Sequence, residues 1–157
     1  MNPHFEQLKR DLLGEPAAAT TDVPDDSGTG TPPALSITVD DVPVMLAAHA
    51  SEERVAILCA DCGEIPEHQA TEVMSTVLGA SLALYRDLGA TFCVNPITRN
   101  LLVLARIRLD ETPASRVVEI ARQFAAAVHR FDEDHFASDA PSWQPDDRAA
   151  AQAFARI

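Results

Sequence analysis

The sequence predicts a small single-domain α+β protein whose elements follow the order α-β-β-β-α-β-β-α, with a twisted, mainly antiparallel sheet flanked by helices. Its 157 residues suit one domain, which at this length buries roughly two-thirds of its unfolded surface. Short segments of alternating polarity are typical of half-buried strands, and longer segments have the apolar spacing of amphipathic helices. The strands fall into a group of three and a group of two around a central helix.

The charge of the chain excludes several classes of partner. Twelve basic side chains stand against 24 acidic ones, a net charge of −12. Nucleic acids and anionic membranes repel such a surface, so we expect neither as a partner. The N-terminus lacks a basic start and a long apolar run, and we therefore expect a cytoplasmic protein. Three cysteines, an odd number, agree with a reducing compartment.

The first helix is short and amphipathic and lies within residues 1–14. Asn2 is suited to cap it, Pro3 to begin it, and Gly14 permits a left-handed stop. Its apolar residues recur at helical spacing: Phe5, Leu8, Leu12 and Leu13. Residues 15–33 are rich in Ala, Thr, Pro, Gly and Asp and have no apolar periodicity, which predicts a flexible acidic linker.

Three strands are expected next. Alternation at Leu35, Ile37 and Val39 indicates a half-buried strand, and residues 42–49 form its hairpin partner. Residues 54–62 are apolar with little interruption, which indicates a strand covered on both faces.

A second helix is expected from about Glu67 to Leu88. Its apolar side chains span an arc of roughly 200°, which is too wide for one sheet to cover. Gly79 is unfavourable inside a helix and so indicates the close approach of another backbone. We predict a homodimer joined through Val77, Leu78, Leu82, Leu84 and Tyr85. The alternative is that this helix is sandwiched within its own monomer.

Two further strands and a third helix complete the domain at residues 34–136. Residues 91–95 and 101–109 form a hairpin, and in its second strand Leu102 and Leu104 share a face with Arg106 and Arg108. The third helix begins near Pro113 and carries an apolar stripe. Residues 137–157 read as an acidic C-terminal tail.

No catalytic constellation is visible, and we predict that the protein is not an enzyme and needs no cofactor or metal. Cys59 and Cys62 have the spacing of a redox or zinc half-site, but residues three apart in a strand point to opposite faces. A zinc ion would need two further ligands, and Cys93 with scattered histidines is a weak basis for them. A thiol enzyme therefore remains only as an alternative.

The order of elements resembles the Tir-chaperone (CesT) family, the class I chaperones of bacterial type III secretion. Two segments carry the resemblance: residues 61–66, Asp-Cys-Gly-Glu-Ile-Pro, before the second helix, and residues 100–110, Asn-Leu-Leu-Val-Leu-Ala-Arg-Ile-Arg-Leu-Asp, before the third. It covers about residues 35–131 and more loosely residues 2–13. The linker at residues 15–33 is longer than the family's usual connection.

The resemblance implies a homodimer that binds the N-terminal region of secreted effector proteins and keeps it extended, with the secretion ATPase as a further partner. By position, it implies an effector-binding groove lined by Phe5, Leu8, Leu12, Leu46, Leu102 and Leu104. Each of these residues also has an ordinary interpretation as core, because periodicity alone cannot distinguish a groove from a buried face. The principal alternative is a dimeric regulator or adaptor of similar fold without a secretion client.

Overall fold

The structure is a computed structural model that describes residues 2–23 and 32–135. The N-terminal half contains helix α1 (Pro3–Leu13) and strands β1 (Ala19–Asp22), β2 (Ala34–Val39), β3 (Val42–Ala48) and β4 (Val55–Glu64). One 3₁₀ turn (Glu67–Gln69) then leads into helix α2 (Ala70–Leu88), strands β5 (Ala90–Val94) and β6 (Asn100–Arg108), and helix α3 (Ala114–His135).

The strands form one six-stranded sheet in the order β1-β2-β3-β4-β6-β5, and every neighbouring pair is antiparallel. This confirms the predicted α+β class and antiparallel sheet. A β-bulge between Asp61 and Gly63 interrupts the register of β4 with β6. The bulge lies where the strand leaves the sheet for α2, and bulges of this kind re-aim a strand at its end.

One face of the sheet, which we call the core face, packs against α1 and α3. A row of aligned residues crosses this face from β2 to β6: Leu35, Leu46, Leu58 and Ala105. All four are buried in one cluster with Val117 and Phe124 of α3 and the apolar side chains of α1. Because successive strand residues alternate between faces, Met45, Cys59 and Leu104 form the neighbouring row on the opposite side, the outer face.

Strand β1 differs from the sequence prediction, which placed only a linker at residues 15–33. It pairs with β2 from Ala19 opposite Thr38 to Asp22 opposite Leu35. Its side chains are small or polar and mostly exposed, so it has no apolar alternation by which to recognise it. Backbone pairing with β2 forms this strand. Residues 24–31 of the predicted linker and the whole of the predicted tail, residues 137–157, lie outside the described residues.

The helix ends follow local chemistry. The Asn2 side chain accepts hydrogen bonds from the backbone N–H groups of His4 and Phe5, as expected of a cap. Gly14 ends α1 with φ −85°, so the left-handed stop predicted there is wrong and the freedom of glycine is not used. Gly89 does adopt a left-handed conformation, φ 63°, and turns the chain directly from α2 into β5.

Candidate functional site

Helix α2 carries an apolar stripe that the described residues leave uncovered. Leu78, Leu82 and Tyr85 are 69%, 75% and 69% exposed. They are four and three residues apart and therefore share one side of the helix. Of the five residues predicted for the dimer interface, Val77 is instead buried and Leu84 is half-buried against the core. The structure thus divides the wide apolar arc into an inward side and an outward stripe.

Most of the residues expected to form a groove on α1 lie in the core. Phe5, Leu8 and Leu12 are buried, and so is Leu46 on β3. They belong to the cluster that joins α1, α3 and the core face of the sheet. In this structure they offer no surface to a partner, and a binding role for them would require α1 to leave the sheet. The sequence could not distinguish these two cases. The amphipathic pattern of α1 shows which side of the helix is apolar, but not whether that side packs on the sheet or binds a client.

Leu102 and Leu104 lie on the outer face of the sheet, where both are half-buried. The antiparallel register brings them beside Met45, Ile57 and Cys59 from β3 and β4. The result is an apolar strip across three strands on the side opposite α3. Met45 and Ile57 were missed from the sequence, because a residue on one strand becomes a neighbour of another only through the register.

Ion pairs bound this strip at one end. Arg106 Nη2 donates to both carboxylate oxygens of Glu52, at 2.8 and 2.9 Å. Arg108 pairs with Glu111 at 2.8 Å and with Asp110 at 3.4 Å. The two arginines that follow the leucines on β6 therefore carry their own carboxylate partners. They give the end of the strip a polar border without a net positive charge.

The cysteines are poorly suited to thiol chemistry. Cys62 is buried in the core cluster, and Cys59 is buried on the outer face beside Met45 and Leu104. Burial raises the pKa of Cys62 to about 12 and that of Cys59 well above its usual range. Thiolate is the nucleophilic and metal-binding form, so both thiols are inert near neutral pH. Within residues 2–23 and 32–135, no three His, Cys, Asp or Glu side chains are grouped so as to hold a metal ion.

In the part of the chain that the structure describes, no helix is both long and apolar enough to cross a membrane.

Known protein families and curated proteins give no sequence match to this chain. Solved structures do match. The ExsC–ExsE complex is 14% identical, with a TM-score of 0.59, and the match covers 88% of this chain and 100% of that chain. The HopA1–SchA chaperone–effector complex is 13% identical, with a TM-score of 0.59 over 84% of this chain and 95% of that one. The Yersinia pestis type III secretion chaperone SycH, in complex with a fragment of YscM2, is 14% identical, with a TM-score of 0.55 over 83% and 98%.

At these identities the likeness concerns the fold alone. The described chain has the α+β fold found in type III secretion chaperones, and it carries apolar side chains on its outer face and on the α2 stripe.

Proposed function

We propose that this protein is a type III secretion chaperone that binds the N-terminal region of an effector, keeps that region extended, and delivers it to the secretion apparatus from the cytoplasm. The observation that carries the proposal is the fold shared with the HopA1–SchA chaperone–effector complex over 84% of the chain. The apolar surfaces described above support it, because they suit the binding of a polypeptide. The mechanism is physical rather than chemical, since a chaperone need only cover apolar side chains of its client.

We propose that the working unit is a homodimer joined by the outward stripe of α2. Leu78, Leu82 and Tyr85 are large, apolar or aromatic, and more than two-thirds exposed. A second copy of the same stripe would cover them in a self-complementary contact, as twofold symmetry requires. Gly79 lies at the border of this stripe, next to Leu82, with no described atom within 4 Å of the position where a Cβ would stand, so it puts no side chain in the way of a partner at that border.

The outer face is the proposed client surface. A client segment in extended conformation places alternate side chains on one side, which matches an apolar strip running across strands. Leu102 and Leu104 then act as anchors, with Met45 and Ile57 beside them. The ion-paired arginines form a polar rim at the β6 end. Phe5, Leu8, Leu12 and Leu46 support the fold beneath rather than the contact itself.

The proposal is tested first by copurification. Tagged full-length protein is isolated from the cell that produces it, and bound proteins are identified by mass spectrometry. A stoichiometric secreted protein retained through its N-terminal region supports the proposal. A stable dimer that retains no secreted protein would favour the alternative, a regulator or adaptor of the same fold.

The second step tests the client surface. In Leu102→Thr/Leu104→Thr the strand gains β-branched residues, which favour strand structure, but loses its apolar anchors. Binding of the copurified effector segment should weaken by about 2 kcal/mol or more, roughly thirtyfold. Ile97→Thr is the matched control, because Ile97 is an exposed apolar residue in the β5–β6 turn, away from the strip. Calorimetric titration measures the affinity and circular-dichroism melting checks the fold. If both variants bound the effector segment with equal affinity, the two leucines would not be part of the client-binding site.

A further inference from the structure

Strand β1 pairs with the edge of β2 that faces away from β3. Without β1, the backbone groups along that edge could pair with another chain. β1 is four residues long, and its side chains are exposed except for the half-buried Thr20. β2 beside it buries most of its side chains. A strand that buries so little apolar surface gains little from the hydrophobic effect, which is the main favourable term in folding.

The pattern of backbone hydrogen bonds can be read from one contact and the register. The Val23 N–H donates to the Ala34 carbonyl at 3.4 Å, which makes these residues a hydrogen-bonded pair. Such pairs alternate along an antiparallel ladder, so Thr21 opposite Ser36 is the next one. The Thr21 N–H therefore points toward β2, whereas the Thr20 N–H points away from it.

The same alternation separates the two sides of β2. The amides of Ser36 and Thr38 point toward β1. The Ala48 N–H donates to the Pro33 carbonyl at 2.9 Å, which sets the ladder between β2 and β3 and directs the amides of Leu35 and Ile37 toward β3. The amides of Ser36 and Thr38 therefore report on the pairing of β1 with β2, and those of Leu35 and Ile37 report on the pairing of β2 with β3.

Side chains add little to the attachment of β1. Lys9 on α1 lies 2.6 Å from Asp22, but the Asp22 side chain is 59% exposed. Surface ion pairs of this kind contribute little to stability, because water competes for both charges. Ala18 alone packs partly against the core just before the strand. β1 is therefore held chiefly by backbone hydrogen bonds, which any extended polypeptide can make.

We propose that β1 is an internal competitor, which occupies the edge of β2 in the free protein and gives way to an extended strand of the client. The identity of the client rests on the proposed chaperone function, but the displaceable strand does not. The replacing strand would place apolar side chains beside Ile37 on the core face and small or polar ones beside Ser36 and Thr38 on the outer face. A carboxylate in the position of Asp22 would pair with Lys9.

A permanent cover is the competing explanation, since many proteins shield a sheet edge against aggregation. Hydrogen exchange of the full-length protein, followed by NMR, gives the first test. If β1 opens by itself, the amides of Ser36 and Thr38 exchange about tenfold or more faster than those of Leu35 and Ile37. Equal protection of all four amides would overturn the proposal.

Two proline variants give the second test. Thr21→Pro removes a hydrogen bond to β2, whereas Thr20→Pro, the matched control, places the same residue where the N–H points away from β2. A synthetic peptide of residues 15–23 is then added at millimolar concentration, comparable to the effective concentration of a tethered segment. It should slow the exchange of Ser36 and Thr38 in Thr21→Pro and leave Thr20→Pro unchanged. If exchange in Thr21→Pro stays fast with peptide present, the edge does not accept a strand in trans.

Binding of the copurified effector segment completes the test. Removal of the competitor should tighten binding to Thr21→Pro about threefold to tenfold relative to Thr20→Pro. Equal affinities for the two variants would make β1 a permanent cover and overturn the proposal while leaving the chaperone function intact. Fast exchange and peptide binding in a protein that retains no effector would instead support the displaceable strand and overturn the chaperone function.

Discussion

At the scale of single residues, environment decides what a side chain can do. Cys59 and Cys62 have the spacing of a redox half-site, but they point to opposite faces of their strand, and burial holds both thiols in the protonated state. Leu12 and Leu13 are neighbours of the same type, but one is fully buried and the other is 58% exposed. The burial of Cys62 and the burial of Leu12 each predict a measurable effect on the free energy of unfolding.

The buried thiol should make stability depend on alkaline pH. The pKa of Cys62 is about 12 in the folded chain against an ordinary value of 9.0, so the unfolded state loses its proton first as pH rises. The free energy of unfolding should therefore fall above about pH 9, by at most about 1.4 kcal/mol per pH unit from this group. Urea titrations of wild type and Cys62→Ala from about pH 7 to about pH 11 measure the effect. The stability difference between them should stay constant below about pH 8 and change above it. A constant difference over the whole range would exclude this contribution.

The packing of α1 predicts a sharp difference between adjacent leucines. Leu12→Ala removes a fully buried side chain and should lower the free energy of unfolding by about 2–5 kcal/mol. Leu13→Ala, its matched control, should change it by about 0.5 kcal/mol or less. Chemical denaturation gives both values. If both variants lost similarly little free energy of unfolding, Leu12 would lie in an exposed groove, as the resemblance implied.

At the scale of elements, two sides of α2 have different roles. The inward side, with Val73 and Val77, belongs to the core cluster of its own chain. The outward side, with Leu78, Leu82 and Tyr85, has no cover from the described residues. A helix that is apolar on both sides is stable in water only where something covers the second side. The outward side is the surface at which we propose that a second copy of the chain binds.

A charge on the outward stripe should break the dimer. Leu82→Glu would bury a carboxylate in the proposed interface and give monomers at micromolar concentration, because an unpaired buried charge is strongly unfavourable. Ala83→Glu is the matched control, since Ala83 is the next residue, is exposed, and lies on the side of α2 that carries Glu72 and Thr76. Light scattering measures the mass of each variant. Monomeric wild-type protein, or equal masses for both variants, would contradict the assignment.

At the scale of the whole molecule, the sheet has one face that packs in the core and one face that is proposed to bind the client. The core face packs against α1 and α3, and the outer face carries the apolar strip and the ion pairs at its border. In the described part of the chain the sheet ends at β1 and β5, and β1 buries less of its side chains than β5 does. In the proposed chaperone, binding surface and folding core therefore lie on opposite faces. Substitutions on one face can change binding while the other maintains the fold.

The sequence by itself determined the class and, among the described residues, the three helices and five of the six strands, because helical and strand periodicities are local properties of the amino-acid order. It also placed Leu102 and Leu104 on one face of β6, and the structure buries Leu101, Val103, Ala105 and Ile107 on the other. The tertiary structure alone decided three matters. β1 forms by backbone pairing and has no side-chain signature, the register brings Met45 and Ile57 beside Leu104, and the sheet buries the apolar face of α1. Each of these depends on which surfaces meet, and an apolar pattern says only that a surface needs a partner.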